Sequence, residues 1–203
     1  YWSTNTTWET NDTYLTYFSQ SGPVAVGASY MRTNTVTVPA SAEGAQHLIV
    51  RVDYANGLFE SDEGNNVWAL AVTNVPDLMP VAMELTNAPV AGKAVGVVTV
   101  VTNQGTGVAG GSWADYLYLS TDAVWGTNDL QLSYYTQSAA VTNGTSYRRT
   151  NSVTLPNWVA GAYYLIVRAD RNNGLYELVE GNNDLAVPVV LTVPDLAPVA
   201  GSV

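Results

Sequence analysis

The sequence predicts an all-β protein made of repeated antiparallel sandwiches. Three observations carry that expectation. Apolar residues alternate with polar ones over short runs, and no stretch of useful length has the 3.6-residue period of an amphipathic helix. Turn-forming residues punctuate the chain roughly every 8–12 positions. The chain also repeats itself.

The repeat sets the organisation. Tyr1-Trp2-Ser3-Thr4 falls on Tyr118-Leu119-Ser120-Thr121, an offset of 117 residues. At the same offset Thr10-Asn11-Asp12 falls on Thr127-Asn128-Asp129, Leu48-Ile49-Val50-Arg51 on Leu165-Ile166-Val167-Arg168, and Glu63-Gly64-Asn65-Asn66 on Glu180-Gly181-Asn182-Asn183. The match then continues one residue out of step, with Val75-Pro76-Asp77-Leu78 recurring as Val193-Pro194-Asp195-Leu196. One complete unit of 118 residues therefore spans 76–193. Residues 1–75 read as a repeat lacking its first strands, and 194–203 as the start of a third. The chain is expected to be a window on a longer tandem array.

Within the complete unit the strands follow in order. Leu78–Thr86 is the first, and the Val-rich, alternating Ala94–Asn103 is the second. Gln104-Gly105-Thr106-Gly107 and Gly110-Gly111 make a loop. Trp113–Ser120, Leu130–Gln137, Tyr147–Leu155 and Ala162–Asp170 follow, the last with Tyr163, Leu165 and Val167 on one face. Asn173-Gly174 signals a tight hairpin, and Asp184–Thr192 closes the unit. About seven short strands in this length make an immunoglobulin-like sandwich, with Trp113 at the third-strand core position. The fold class is all-β, with immunoglobulin-like antiparallel β-sandwich repeats of about 118 residues in tandem.

Composition excludes several functions. Hydrophobic residues make up 47% of the 203, enough for a core. Charged residues are 12%, about half the ordinary ~25%. Seven Lys and Arg against 17 Asp and Glu leave −10, which repels phosphate backbones and excludes nucleic-acid binding. With no cysteine there are no disulfides, thiolate metal sites or cysteine nucleophiles. The most apolar run, from Ala94 to Val101, is far short of the ~20 residues a membrane helix needs. The chain starts at Tyr1 without a basic-then-apolar leader, and it reads as a piece of a larger protein.

The unit resembles the CARDB family, the cell-adhesion-related domain found in bacteria. The residues that carry the likeness are Pro76-Asp77-Leu78, the run Val101-Thr102-Asn103-Gln104-Gly105-Thr106-Gly107, the run from Trp113 to Asp122, and the acidic close Glu177-Leu178-Val179-Glu180-Gly181-Asn182-Asn183. The resemblance implies a β-sandwich strung in tandem in large prokaryotic surface or secreted proteins, serving as stalk, adhesive element or filament part. It implies no chemistry and identifies no ligand.

Three groups of residues are candidate sites. Asp122 and Asp129 bound a loop with Ser120 and Asn128 nearby, oxygen ligands that suit Ca2+ although the spacing is not an EF-hand. Turn formation is the other reading, and Asn5 stands where the second unit has Asp122. The second group is Asp170, Glu177, Glu180, Asn182 and Asn183, echoed by Asp53, Glu60, Glu63, Asn65 and Asn66. A hairpin at Asn173-Gly174 would bring Asp170 near Glu177, and carboxylates that close need a cation or hydrogen-bond donors between them. Calcium and backbone capping are the two readings, with Arg51 and Arg168 as alternative counter-ions. The third group is Trp125 with its counterpart Trp8, and Trp158, all in loops, which either stack on surface glycans or lid the sandwich ends.

Catalysis finds no support. A glycosidase pair would not be duplicated in successive modules, and the sole histidine, His47, has Tyr164 as its counterpart. The reading is a structural and adhesive segment of a large extracellular or cell-surface tandem-repeat protein, the stalk or body of a filament. Its partners are neighbouring repeats and other copies of itself, with 194–203 available for strand sharing. The alternative is a carbohydrate-binding accessory module of a secreted enzyme.

Overall fold

The computed structural model describes residues 1–39 and 44–195, so the third repeat expected at 194–203, and any strand sharing through it, lies almost wholly outside the described residues. The chain divides into two compact units, Tyr1–Thr73 and Asn74–Val203. The described residues form ten strands: β1 Trp2–Ser3, β2 Gln46–Arg51 and β3 Val67–Val72 in the first unit, then β4 Leu78–Leu85, β5 Ala94–Asn103, β6 Trp113–Ser120, β7 Leu130–Gln137, β8 Ser146–Thr154, β9 Gly161–Arg168 and β10 Asp184–Leu191 in the second. Each of the seven in the second unit lies within two residues of its expected bounds.

The second unit is a sandwich of two antiparallel sheets, one in the order β4-β5-β8 and the other β10-β9-β6-β7. Their inner faces meet in one cluster where Val95, Val97 and Val153 of the smaller sheet pack on Leu117, Leu165 and Val189 of the larger. A second cluster, with Leu78, Val101, Ala109, Trp113, Val141 and Ala169, fills the end of the sandwich where the chain enters. Fully burying such a side chain stabilises by about 1.5–3 kcal/mol, which makes these clusters the main source of the unit's stability. Prolines interrupt only edge strands. Pro80 sits at a register shift in β4, and Pro188 lies in β10, so neither removes a hydrogen bond from a central ladder.

The two terminal strands run in the same direction. Leu78 opens β4 beside the loop that precedes β10, and Thr192, just past β10, pairs in parallel with Val90, beyond the far end of β4. Ala91 N–H donates to Thr192 O at 2.8 Å, and Thr192 N–H to Pro89 O at 3.1 Å. The chain therefore enters at one end of the sandwich and leaves at the other.

One turn differs from expectation. Asn173-Gly174 does not close a hairpin: β9 pairs directly with β10, Arg168 opposite Asp184, across the loop 169–183. The Asp170 side chain captures the Gly174 and Leu175 amides that a hairpin ladder would have paired.

The first unit is a three-stranded sheet in the order β1-β2-β3, with Trp2 and Ile49 buried. Its residues 13–39 form no strand, although by the repeat they correspond to β7 and β8. The cause is pairing. In the second unit β8 pairs with β5 and β7 with β6, and the counterparts of β5 and of most of β6 are not among the 203 residues. A single rung of that ladder forms, Trp2 with Thr13, the counterpart of Leu119 with Leu130. Leu58 is accordingly 69% exposed where its counterpart Leu175 is 8% exposed. Among the described residues no helix is long and apolar enough to cross a membrane.

Candidate functional site

The acidic close of each unit is a polar cap built from short-range chemistry. Asp170 and Asn173 both sit at positive φ, 39° and 48°, which Asp and Asn tolerate better than most residues. That lets the Asp170 carboxylate accept from Gly174 N–H at 2.8 Å and Leu175 N–H at 2.7 Å, while its own carbonyl accepts from Asn173 N–H at 2.9 Å. Asp53 and Asn56 repeat this with the same two φ values, and Asp53 accepts from Gly57 N–H at 2.9 Å and Leu58 N–H at 2.8 Å.

Glu177 is completely buried. Its Oε1 accepts from Leu78 N–H at 2.5 Å and its Oε2 from Asn183 Nδ2 at 2.6 Å. Burial pushes its carboxyl up to about 8; the donors from Asn183 and Leu78 oppose that, and the charges of Glu180 and Asp170 add to it. Glu180 stands at 3.5 Å from the same Asn183 amide, in a 3-10 turn over Glu180–Asn182, and Asn182 donates to Asp77 at 2.9 Å. In the first unit Asn66 likewise donates to Glu60 at 2.7 Å and Glu63 at 3.3 Å, while Asn65 is exposed in the turn Glu63–Asn65.

Of the predicted residues, Glu177 and Glu180 converge on Asn183, and Glu60 and Glu63 on Asn66, while Asp170 and Asp53 hold amides of their own loops and Asn182 holds Asp77. Asp122 and Asp129 bond within their own loop. Asp122 accepts from Val124 N–H at 2.8 Å and Asp129 from Gly126 N–H at 2.7 Å, in the turn after β6. Among the described residues no three or more His, Cys, Asp or Glu side chains are grouped to hold a metal ion.

Reasoning from sequence missed what the cap grips. Asn103 is fully buried and makes four hydrogen bonds: its Oδ1 accepts from Asp77 N–H at 3.0 Å and Gly105 N–H at 3.1 Å, and its Nδ2 donates to Gly107 O at 2.8 Å and Val141 O at 2.9 Å. Gln104 N–H donates to Asp77 O at 2.8 Å, Gly107 N–H to Val75 O at 2.9 Å, and Leu178 N–H to Pro76 O at 2.9 Å. With Glu177 on Leu78, the incoming segment 75–78 is held from both sides. Gly105 is required here, because a Cβ would lie 2.5 Å from Asp77 N and from Pro76 C. The signal was present in Asn103-Gln104-Gly105-Thr106-Gly107, a polar residue ending a strand before spaced glycines.

A second buried network ties the sheets together. Tyr147 of β8 donates to Asp115 of β6 at 2.5 Å, Trp113 Nε1 donates to the Tyr147 hydroxyl at 3.2 Å, and Asp170 N–H donates to Asp115 at 3.1 Å. Burial raises the Asp115 carboxyl to about 6, against the hydrogen bonds from Tyr147 and Asp170. It also pushes the Tyr147 hydroxyl far upward.

The loop tryptophans divide. Trp125 carries the Arg168 guanidinium 4.3 Å above its ring and Arg171 at 4.8 Å, with the Tyr118 ring edge-on at 5.9 Å. Arg168 also pairs with Asp184 at 3.0 Å. Trp8 carries Arg51 at 4.2 Å, and Tyr54 lies 5.0 Å from the same guanidinium. Trp158 contributes to neither arrangement; it is 75% exposed in the loop between β8 and β9.

The second unit is thus a two-sheet β-sandwich domain whose buried polar residues seal one end and grip the incoming chain. The chain belongs to the CARDB family, whose model matches residues 75–187. Among curated proteins none matches. Of solved structures, it is similar to the CARDB domain of a Pyrococcus furiosus protein in complex with di-metal ions, at 18% identity and a TM-score of 0.47, covering 61% of this chain and 99% of that one. It is also similar to a domain of a putative cell surface protein from Methanosarcina acetivorans, at 23% identity and a TM-score of 0.43, covering 58% and 92%. Beta-glucosidase 3B from Thermotoga neapolitana matches at 12% identity and a TM-score of 0.41, covering 62% of this chain and 17% of that one.

Proposed function

We propose that this chain is a structural and adhesive segment of an extracellular, cell-surface protein, with successive CARDB modules joined near Val75-Pro76 and acting without catalysis. The observation that carries the reading is the grip on the incoming segment 75–78, together with entry and exit at opposite ends of the second unit. A pull on the two ends then loads β4 and β10 along their lengths, about 26 Å for eight residues, so many hydrogen bonds share the force instead of peeling one at a time. Such a module suits a stalk or a filament body. Lateral contact between copies has an available group in Tyr134, 60% exposed on the larger sheet and stacked on Tyr116.

Force spectroscopy on the full chain tests this. The second unit should open in one event, extending by about 400 Å at roughly 3.6 Å per residue, at a force that falls when Asn103 is changed to Ala. Gradual extension, or a force indifferent to that substitution, overturns the reading.

A further inference from the structure

The two units differ at one position beside the stacked arginine. Arg168 faces Asp184 across the β9–β10 ladder and pairs with it at 3.0 Å. In the first unit the same ladder position, opposite Arg51, is Val67. Among the described residues Arg51 has no carboxylate partner; its guanidinium lies over Trp8 and Tyr54. It also lines an open cavity of about 380 Å³ with Thr6, Thr7, Trp8, Asn56 and Asn66.

We propose that this cavity binds a carboxylate-bearing sugar, a hexuronic acid residue of an acidic glycan. Stacking fixes a guanidinium's plane while leaving its N–H edge free for a planar oxyanion, which it grips through two parallel hydrogen bonds. The Thr6 and Thr7 hydroxyls and the Asn56 amide make no side-chain hydrogen bond among the described residues, and they suit the hydroxyls of a pyranose ring. The volume is of the order that small-ligand sites use.

Two features oppose an anion. Glu63 also lines the cavity, but its carboxylate accepts from Glu60 N–H at 3.2 Å and Asn66 Nδ2 at 3.3 Å, within its own turn. The net charge of −10 acts over longer range and is screened beyond about 8 Å at physiological salt. The second unit supplies its own control, since its arginine already holds a carboxylate in the place the sugar acid would take.

The test is calorimetric titration of the full chain with trigalacturonate and, separately, with neutral maltotriose. Binding of the acidic trimer in the millimolar range or tighter, at least tenfold weaker binding of the neutral one, and at least tenfold loss on Val67→Asp support the proposal. Val67 is exposed, so Val67→Asp, which installs the second unit's internal ion pair, should leave the melting temperature unchanged. Arg51→Gln should abolish binding as well. Equal affinity for the neutral trimer, undiminished binding by folded Val67→Asp, or no binding by the parent chain overturns it.

Discussion

Replacing Asn103 with Ala removes one partner from each of four hydrogen bonds at a site with no solvent access. The amides of Asp77 and Gly105 and the carbonyl of Gly107 lose their partner, while the Val141 carbonyl keeps the Ala109 N–H at 3.0 Å. Each buried group left unpaired costs about 1–3 kcal/mol, and loop relaxation with water entry recovers part of it, so the expected loss is about 3–5 kcal/mol. Against a total of about 5–15 kcal/mol for an ordinary domain, that is about a fifth or more of the unit's stability. The matched control is Thr102→Ala, which breaks only an exposed 2.7 Å contact with Ser146 and should cost under about 0.5 kcal/mol. Hydrogen exchange at Leu117 and Val167, paired across the β6–β9 ladder, reports opening of the second unit independently of the first. A change below about 1 kcal/mol in Asn103→Ala would refute the view that this residue holds the incoming segment in place.

Other outcomes follow from the same geometry. Glu177 and Asp115 have folded values of about 8 and about 6, above the ordinary 4.5 and 3.8, so the folded unit holds protons that the unfolded chain releases. Their stabilising contribution is complete below the ordinary values and is lost as pH rises through about 6 and then about 8; urea midpoints measured from pH 5 to 9 should decline. Glu177→Gln should flatten the upper part of that decline, because it removes the carboxyl that titrates there, while the buried Asn183 Oδ1, without a partner, can turn to accept from the new amide. Gly105→Ala should displace the incoming segment and destabilise by several kcal/mol, whereas Gly110→Ala meets nothing within 4 Å and should be neutral or slightly stabilising in a thermal melt. Adding Ca2+ or a chelator should leave the melting midpoint unmoved, since the Asp170 and Glu177 oxygens already accept from N–H groups.

Strand positions were legible because a half-buried strand writes its period into the chain: Ala94–Asn103, Trp113–Ser120 and Leu130–Gln137 match their expected bounds residue for residue. The hairpin at Asn173-Gly174 was misread because the same dipeptide suits any turn needing positive φ, and which amides Asp170 would capture depends on where β10 returns. The absence of strands over 13–39 was hidden for a related reason. Their pattern is that of strands, yet a strand exists only with a neighbour to pair with. Composition marked the acidic residues as a group, but only the fold shows that Glu177 faces the Leu78 amide. Asn103 resembled ordinary turn punctuation, since its four partners come from three separate stretches of chain.

The Glu177–Leu78 bond spans 99 residues of sequence. At ribosomal speeds of about 5–20 residues per second, the Leu78 amide is made roughly 5–20 s before the carboxylate that receives it. During that interval the smaller sheet can begin to form, but its first strand is held at its leading end only from the side of Asn103 and Gly107. A module of this design is finished from its tail, and its nascent chain stays open until the acidic close emerges.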